Sequence, residues 1–227
     1  MPLKTPQDIV EHVYASGYFT NHGPLAKQLE ESLQKFFGVE HAVVVGNESL
    51  ALVMALAGLG LTGRVAVLEP CPPFAVSAVA WASLEPVRCP GSLLPPDVVA
   101  VLLCPDENAP ALPTGPEKNA RLKTVVYRPG PLTAKIVAKP PRADDRVVVT
   151  TLAQTGEAPS SACAAILTAD ATLAEKYRNI RSSYGARQIV DVTATANGRV
   201  SEFQAGLALL LLQNLLARKS PRDQPSS

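Results

Sequence analysis

The chain has 227 residues, of which 47% are hydrophobic and 18% charged, with a formal net charge of +1. That length and apolarity suit one large domain or two small ones with a substantial core. A near-neutral charge, scattered basic residues and an aromatic content of 5% exclude a nucleic-acid footprint or a base-stacking platform.

The predicted elements alternate. Pro6 to Ser16 reads as a short amphipathic helix, and Gly17 to Pro24 as a turn-rich loop. Leu25, Leu29, Leu33 and Phe36 share one face of a helix over Leu25 to Phe37, which Gly38 stops. Ala42 to Val45 is a short, wholly apolar strand of the kind buried in parallel sheets. A helix over Ser49 to Gly60 follows, capped near Asn47 or Ser49. Strands are predicted at 64–68, 98–103, 123–127, 147–151 and 164–168, and helices at 74–83, 171–182 and 201–218. Such alternation predicts a mostly parallel α/β sheet with flanking helices.

Twenty-one prolines cluster at 70–73, 86–96, 105–116, 129–141 and around 159. These stretches read as loops, because proline cannot donate to a helix interior or a central strand. Residues 1–218 are expected to form a single domain, and the polar stretch 219–227 a disordered tail. Met1 to Asp8 has no apolar leader core, and the longest apolar run, Ala205 to Leu212, falls short of a bilayer span. Cys71, Cys89, Cys104 and Cys163 lack paired spacing, and His12, His22 and His41 lack metal-ligand spacing. The expectation is a cytoplasmic protein with free thiols, no metal and no membrane contact.

Four stretches carry a family resemblance. They are Gly17-Tyr-Phe-Thr-Asn-His-Gly-Pro24 with Phe37-Gly-Val-Glu-His-Ala-Val-Val-Val45; Glu69-Pro-Cys-Pro-Pro-Phe74; Thr151-Leu-Ala-Gln-Thr-Gly156 running on to Thr168; and Arg181-Ser-Ser-Tyr-Gly185 with Asn197-Gly-Arg-Val-Ser-Glu-Phe-Gln-Ala205. In this order they resemble the DegT/StrS family of nucleotide-sugar aminotransferases. The resemblance implies the large domain of a PLP-transferase fold, which holds pyridoxal phosphate and pairs into a dimer. The chain is shorter than family members, so the smaller C-terminal domain is expected to be absent.

Set against that family, Gly156 stands where the Schiff-base lysine belongs, and a glycine can neither attack a carbonyl nor carry a proton. Lys135 and Lys139 are the nearest lysines before it, in a proline-rich stretch. Gly46-Asn-Glu-Ser49 replaces the phosphate loop. Ser49 keeps a hydroxyl there, whereas Glu48 brings a carboxylate that either repels a phosphate or simply favours the helix dipole. Arg128 falls at or beside the aspartate that partners the ring nitrogen, and no acid lies between Lys118 and Ala143. Phe74 takes the place of the ring-stacking aromatic or is plain core, and Thr151 that of a phosphate-contacting serine or is an ordinary strand end. Asn197 opens a loop that, in the family, reaches across the dimer.

Three losses together lead to the expectation of a vestigial pocket (Ser49, Phe74, Thr151, Gly156, Asn197) and no cofactor. The protein would then be a binding, regulatory or partner subunit in a sugar or natural-product pathway. It would be a homodimer, or a heterodimer with an intact aminotransferase-like subunit, with scope for a small-molecule ligand. The alternative is an enzyme: either the old cleft is reused without cofactor on a small polar or sugar-like substrate, or residual pyridoxal phosphate binding persists. Cys104-Pro-Asp-Glu-Asn108 also follows a buried strand, but no histidine is near to act as a base, and a solvated loop is the expectation.

Overall fold

The computed structural model describes residues 3–20, 22–90, 94–105, 122–128, 146–152, 163–182 and 198–219. Helices α1 (Pro6–Ser16) and α2 (Pro24–Phe37) lead into strand β1 (His41–Val45), and α3 (Glu48–Gly58) follows. Then come β2 (Arg64–Glu69), α4 (Pro73–Trp81), β3 (Glu85–Pro90), β4 (Val98–Leu103), β5 (Lys123–Arg128), β6 (Arg146–Leu152) and β7 (Cys163–Thr168). Helices α5 (Ala171–Arg181) and α6 (Glu202–Lys219) close the order.

Local chemistry explains the helix ends. Thr5 and Asp8 form a reciprocal capping box on α1, and Gly17 ends it with φ of 69°. Gly38, with φ of 63°, ends α2 in the same left-handed conformation. Asn47 caps α3 by accepting from the Leu50 N–H at 2.8 Å. Asp170 caps α5, taking both the Thr172 and Leu173 N–H groups. At α6, the Gln204 N–H donates to the Ser201 hydroxyl while the Ser201 N–H donates to the Gln204 side chain.

The seven strands lie in the order β1-β7-β6-β5-β4-β2-β3. Pairs β2–β3, β2–β4, β4–β5 and β5–β6 are parallel, and β7 alone runs against both its neighbours, β1 and β6. The mostly parallel sheet expected from the sequence is therefore present. One expectation fails: the proline-rich stretch at 86–96 was read as loop, yet Glu85–Pro90 is strand β3. It sits at the sheet's edge, where Pro86 and Pro90 need no second ladder partner.

Strand alternation divides the core in two. On one face Val125, Tyr127, Val147, Val149 and Ile166 pack with the apolar sides of α3, α4 and α5. On the other, Val126, Val148, Leu152, Ala165 and Leu167 pack with α1, α2 and α6. Helix α3 is apolar all round, and Ala51 through Leu56 are all buried between the sheet and its neighbours. Gly58 lets it come close to α5, since a Cβ there would lie 2.2 Å from Tyr177 Cε1. No described helix is long and apolar enough to cross a membrane.

Candidate functional site

Open α/β sheets bind ligands at the carboxyl ends of their parallel strands. Here the ends of β5 and β6 meet the amino end of α3 and the start of α4. Phe74, in the first turn of α4 and half-buried, packs edge-on against Tyr127 of β5, with ring centroids 5.3 Å apart. The Thr151 hydroxyl of β6 donates to Glu48 Oε2 at 2.8 Å. Tyr127 Oη lies 3.3 Å from the same Thr151 oxygen. Because Thr151's one proton goes to Glu48, the Tyr127 hydroxyl is the donor of that second bond.

The Tyr127 phenol titrates well above its ordinary value, chiefly because it is buried, and the Glu48 carboxylate adds to the shift while Thr151 opposes it. It stays a neutral donor at all ordinary pH. Burial also pushes the Cys104 thiol, at the end of β4, up to about 12, with Cys71 adding to the effect. No nucleophilic thiolate is available there near neutrality. Among the described residues all four cysteines are free and no cluster of metal-ligating side chains exists.

The predicted site residues divide clearly. Phe74 and Thr151 both meet Tyr127 at this cleft, and Ser49 follows Glu48 in the first turn of α3. Gly156 and Asn197 lie outside the described residues, as do Lys135, Lys139, Asp106 and Glu107. Glu48 does more than favour the helix dipole from the first turn of α3, because its carboxylate crosses to β6 and engages Thr151. Arg128 does not face the cleft. Alternation turns it to the opposite side of the sheet from Tyr127, and Tyr127 is the β5 residue that meets Phe74. Parity along β5 puts Val125 and Tyr127 on one face and Arg128 on the other, and the packing of α3 decides which of the two faces the cleft.

Two of the quoted motifs prove to be one structural unit. Glu202, fully buried at the start of α6, accepts the Leu25 N–H at 2.7 Å and the Ala26 N–H at 3.3 Å. It thus caps α2, whose own N-cap Gly23 offers no side chain. A Cβ on Gly23 would sit 2.7 Å from both Glu202 Cδ and Tyr18 Cβ, so only a glycine lets these two groups close on the start of α2. The loop leading into α3 is held similarly: the Gly46 N–H donates to Gly198 O at 3.0 Å and its carbonyl accepts from Gln204 Nε2 at 3.3 Å. The stretch that follows Asn197 therefore braces the amino end of α3 within the chain.

A buried ion pair ties the remaining motifs together. Arg181 donates to Glu30 Oε1 at 2.6 Å and to the Val44 carbonyl at 3.0 Å, while the Val44 N–H donates to Glu30 Oε1 at 3.0 Å. His22 Nε2 lies 2.9 Å from Glu30 Oε2. Burial alone would raise the Glu30 pKa, but the His22 hydrogen bond, the charges of Arg181 and His22 and the Val44 N–H outweigh it, and the net shift is downward.

The donor set fits the ring and phosphate of pyridoxal phosphate in part. Asn47 takes up only the Leu50 N–H, which leaves the earlier N–H groups of α3 pointing out of its amino end beside the Ser49 hydroxyl. Phe74 supplies an aromatic face and Thr151 a hydroxyl. Among the described residues of the cleft, Glu48 is the one group that opposes an anion.

Comparisons with known proteins agree with this geometry. The DegT/DnrJ/EryC1/StrS aminotransferase family matches residues 4–90. A dTDP-4-amino-4,6-dideoxy-D-glucose transaminase of Escherichia coli is 38% identical over 79 residues, covering 34% of this chain and 21% of that one. The solved structure of DesI with its TDP-sugar product superposes with a TM-score of 0.75 at 20% identity, over 93% of this chain and 58% of that chain. NtdA from Bacillus subtilis, solved with bound cofactor PMP, superposes with a TM-score of 0.68 at 16% identity, over 92% of this chain and 52% of that one. This chain thus spans less than two thirds of the relatives it matches.

These findings overturn the expectation that the cofactor has been lost. The matched family is one of aminotransferases, and a protein of the same fold holds the aminated form of pyridoxal phosphate. Individual contacts depart from the family's pattern, yet the amino end of α3, Phe74 and Thr151 still meet around Tyr127. Residues 4–90 match the DegT/DnrJ/EryC1/StrS aminotransferase family, and the described residues share the fold of solved structures such as DesI.

Proposed function

We propose that the chain is a nucleotide-sugar-handling subunit of the aminotransferase type. It binds pyridoxal phosphate non-covalently in the α3–Phe74–Thr151 cleft and does not transaminate on its own. The Thr151–Glu48 hydrogen bond carries this reading: the hydroxyl placed to meet a phosphate is engaged by the chain's own carboxylate. Position 156 is glycine, so no amine stands there to form a covalent link.

When bound, the cofactor supplies an electron sink through its ring. The amino end of α3 and Ser49 would hold its phosphate and Phe74 would cover its ring. Tyr127 stays protonated and steadies Thr151 from below. The sugar context rests on the relatives, among them a transaminase named for a dTDP-linked aminodideoxyglucose and a structure solved with a TDP-sugar product. The partner role follows from chemistry: a subunit without the amine contributes to sugar amination by completing or regulating another subunit that has it.

The test is a pyridoxal phosphate titration of the purified chain, followed by borohydride reduction and intact-mass measurement. Glutamate and the 4-keto counterpart of dTDP-4-amino-4,6-dideoxy-D-glucose are then added, with and without an intact aminotransferase of the family. The expected result is a spectral change reversed by dialysis, no fixed adduct, no amino sugar from the chain alone, and an altered rate for the intact enzyme. A borohydride-fixed adduct, or amino sugar made by the chain alone, would overturn the proposal.

A further inference from the structure

On the face of the sheet turned away from α3, the ends of β5 and β6 carry two buried polar atoms with nothing bonded to them. Arg128 and Thr150 are register partners in the parallel β5–β6 pair, so their side chains leave the same face. That face is fixed by Val126 and Val148, which pack with the α1, α2 and α6 side of the core. Arg128 Nε and Thr150 Oγ1 are both buried and have no hydrogen-bond partner among the described residues. Thr150 is fully buried and Arg128 half-buried.

Folded chains seldom leave such groups unmatched, because each carries the full cost of its lost hydration. The cost is greater for a guanidinium, whose charge wants a counter-charge as well as an acceptor. None of β4, β5 and β6 contains an aspartate or glutamate. The Arg128 pKa is accordingly held below its usual value, with burial as the cause. Arg64 has a buried Nε of the same kind, but its guanidinium pairs with Asp97 at 2.5 Å. Arg128 has no ion-pair partner among the described residues.

The demands of the two atoms are complementary to one kind of ligand. The guanidinium N–H only donates, and the hydroxyl both donates and accepts. An anionic oxygen accepts from both, in charge-assisted bonds. The pair also stands at the carboxyl ends of parallel strands, where α/β sheets take ligands. We propose that Arg128 and Thr150 form an oxyanion-binding site, for a phosphate or carboxylate group, on the face of the sheet opposite the Tyr127–Thr151 cleft. The site does not depend on how the cleft itself is used.

The test follows thermal unfolding of wild type, Arg128→Met and Thr150→Val in phosphate-free buffer, titrated with sodium phosphate or sodium acetate at constant ionic strength. For wild type the midpoint should rise saturably with at least one anion. The anion that saturates at the lower concentration assigns the site to phosphate or to carboxylate. Apparent affinity should fall by about tenfold in Arg128→Met and about threefold in Thr150→Val. Without added anion, Arg128→Met should unfold no lower than wild type, because it removes an unmatched buried cation. The site is refuted by wild type showing no saturable shift with either anion. It is equally refuted by Arg128→Met keeping the full shift, as it would if the anion sat at α3 instead. Loss of stability or folding in Arg128→Met in phosphate-free buffer also overturns it, since the guanidinium would then already have a partner.

Discussion

Two networks, each built on a glutamate, one buried and one half-buried, differ in one respect. Glu30 is matched by a cation: Arg181 touches it, His22 and the Val44 N–H complete its shell, and both ends of the Glu30–Arg181 pair are almost fully buried. Glu48 is matched only by a neutral hydroxyl, that of Thr151, and no cation pairs with it among the described residues. The first network is closed and holds α2, β1 and α5 together. The second stands open at the strand ends, with a carboxylate whose charge is not cancelled. Motifs within and beyond the family-matched residues thus serve two ends. Those that close on themselves make the fold, and those that stay open at the strand ends form the candidate cleft.

The sharpest way to break this comparison is to open the closed network. Glu30→Ala leaves the Arg181 guanidinium buried without a counter-charge and should cost about 3–5 kcal/mol, measured by urea unfolding. Its pH dependence follows from the sign of the shift. The folded pKa of Glu30 lies below the carboxylate's ordinary 4.5. Its contribution is therefore fully present above that value and is lost as pH falls through the folded pKa. The midpoint of wild type should drop in that acid window, and Glu30→Gln should flatten the drop. An unchanged acid profile in Glu30→Gln would remove this carboxylate from the account of stability.

The next effect tests whether distant motifs are one unit. Glu202→Ala strips the cap from α2 and leaves the Leu25 and Ala26 N–H groups buried and unmet, at about 1–3 kcal/mol. Gly23→Ala should cost a similar amount, because its Cβ would press on the Glu202 carboxyl group. The double variant should lose less than the sum of the singles by the share of the Gly23→Ala cost that Glu202 causes, while the equal clash with Tyr18 Cβ remains. Additive losses would show that the glycine and the glutamate act separately.

Most of the scaffold was legible in the sequence. Period-3.6 leucines located α2, short runs of valine located β4, β5 and β6, and the glycines at 17 and 38 and the asparagine at 47 set the helix ends. Strand β3 was not, because proline at positions 86 and 90 argues against a strand unless the strand is known to be an edge, and edges are decided by pairing across the sheet. The same limit applied to the site. Ser49, Phe74 and Thr151 were found through family motifs, but whether Tyr127 or Arg128 faces the cleft depends on which face of the sheet carries α3. Glu202 illustrates the converse: a charged residue at a helix start looks like ordinary dipole chemistry until the partner helix is in place.

The smallest effect in stability is the most informative for function. Thr151→Val frees Glu48 to water at the half-buried edge of the cleft but takes the acceptor from the buried Tyr127 hydroxyl, and should cost about 1–2 kcal/mol. Glu48→Gln should cost no more, since it keeps an acceptor and loses only the charge. Their effects on pyridoxal phosphate should have opposite signs. Removing the carboxylate's repulsion tightens binding by about three- to tenfold, and removing the hydroxyl weakens it by a similar factor. Absorbance titration at fixed pH and salt measures both. Raised ionic strength should shrink the gain from Glu48→Gln but leave the Thr151→Val loss in place, because only the first is a matter of charge. Equal affinities in wild type and Glu48→Gln would mean that the carboxylate does not compete at the phosphate end, and that the open network has a different ligand in view.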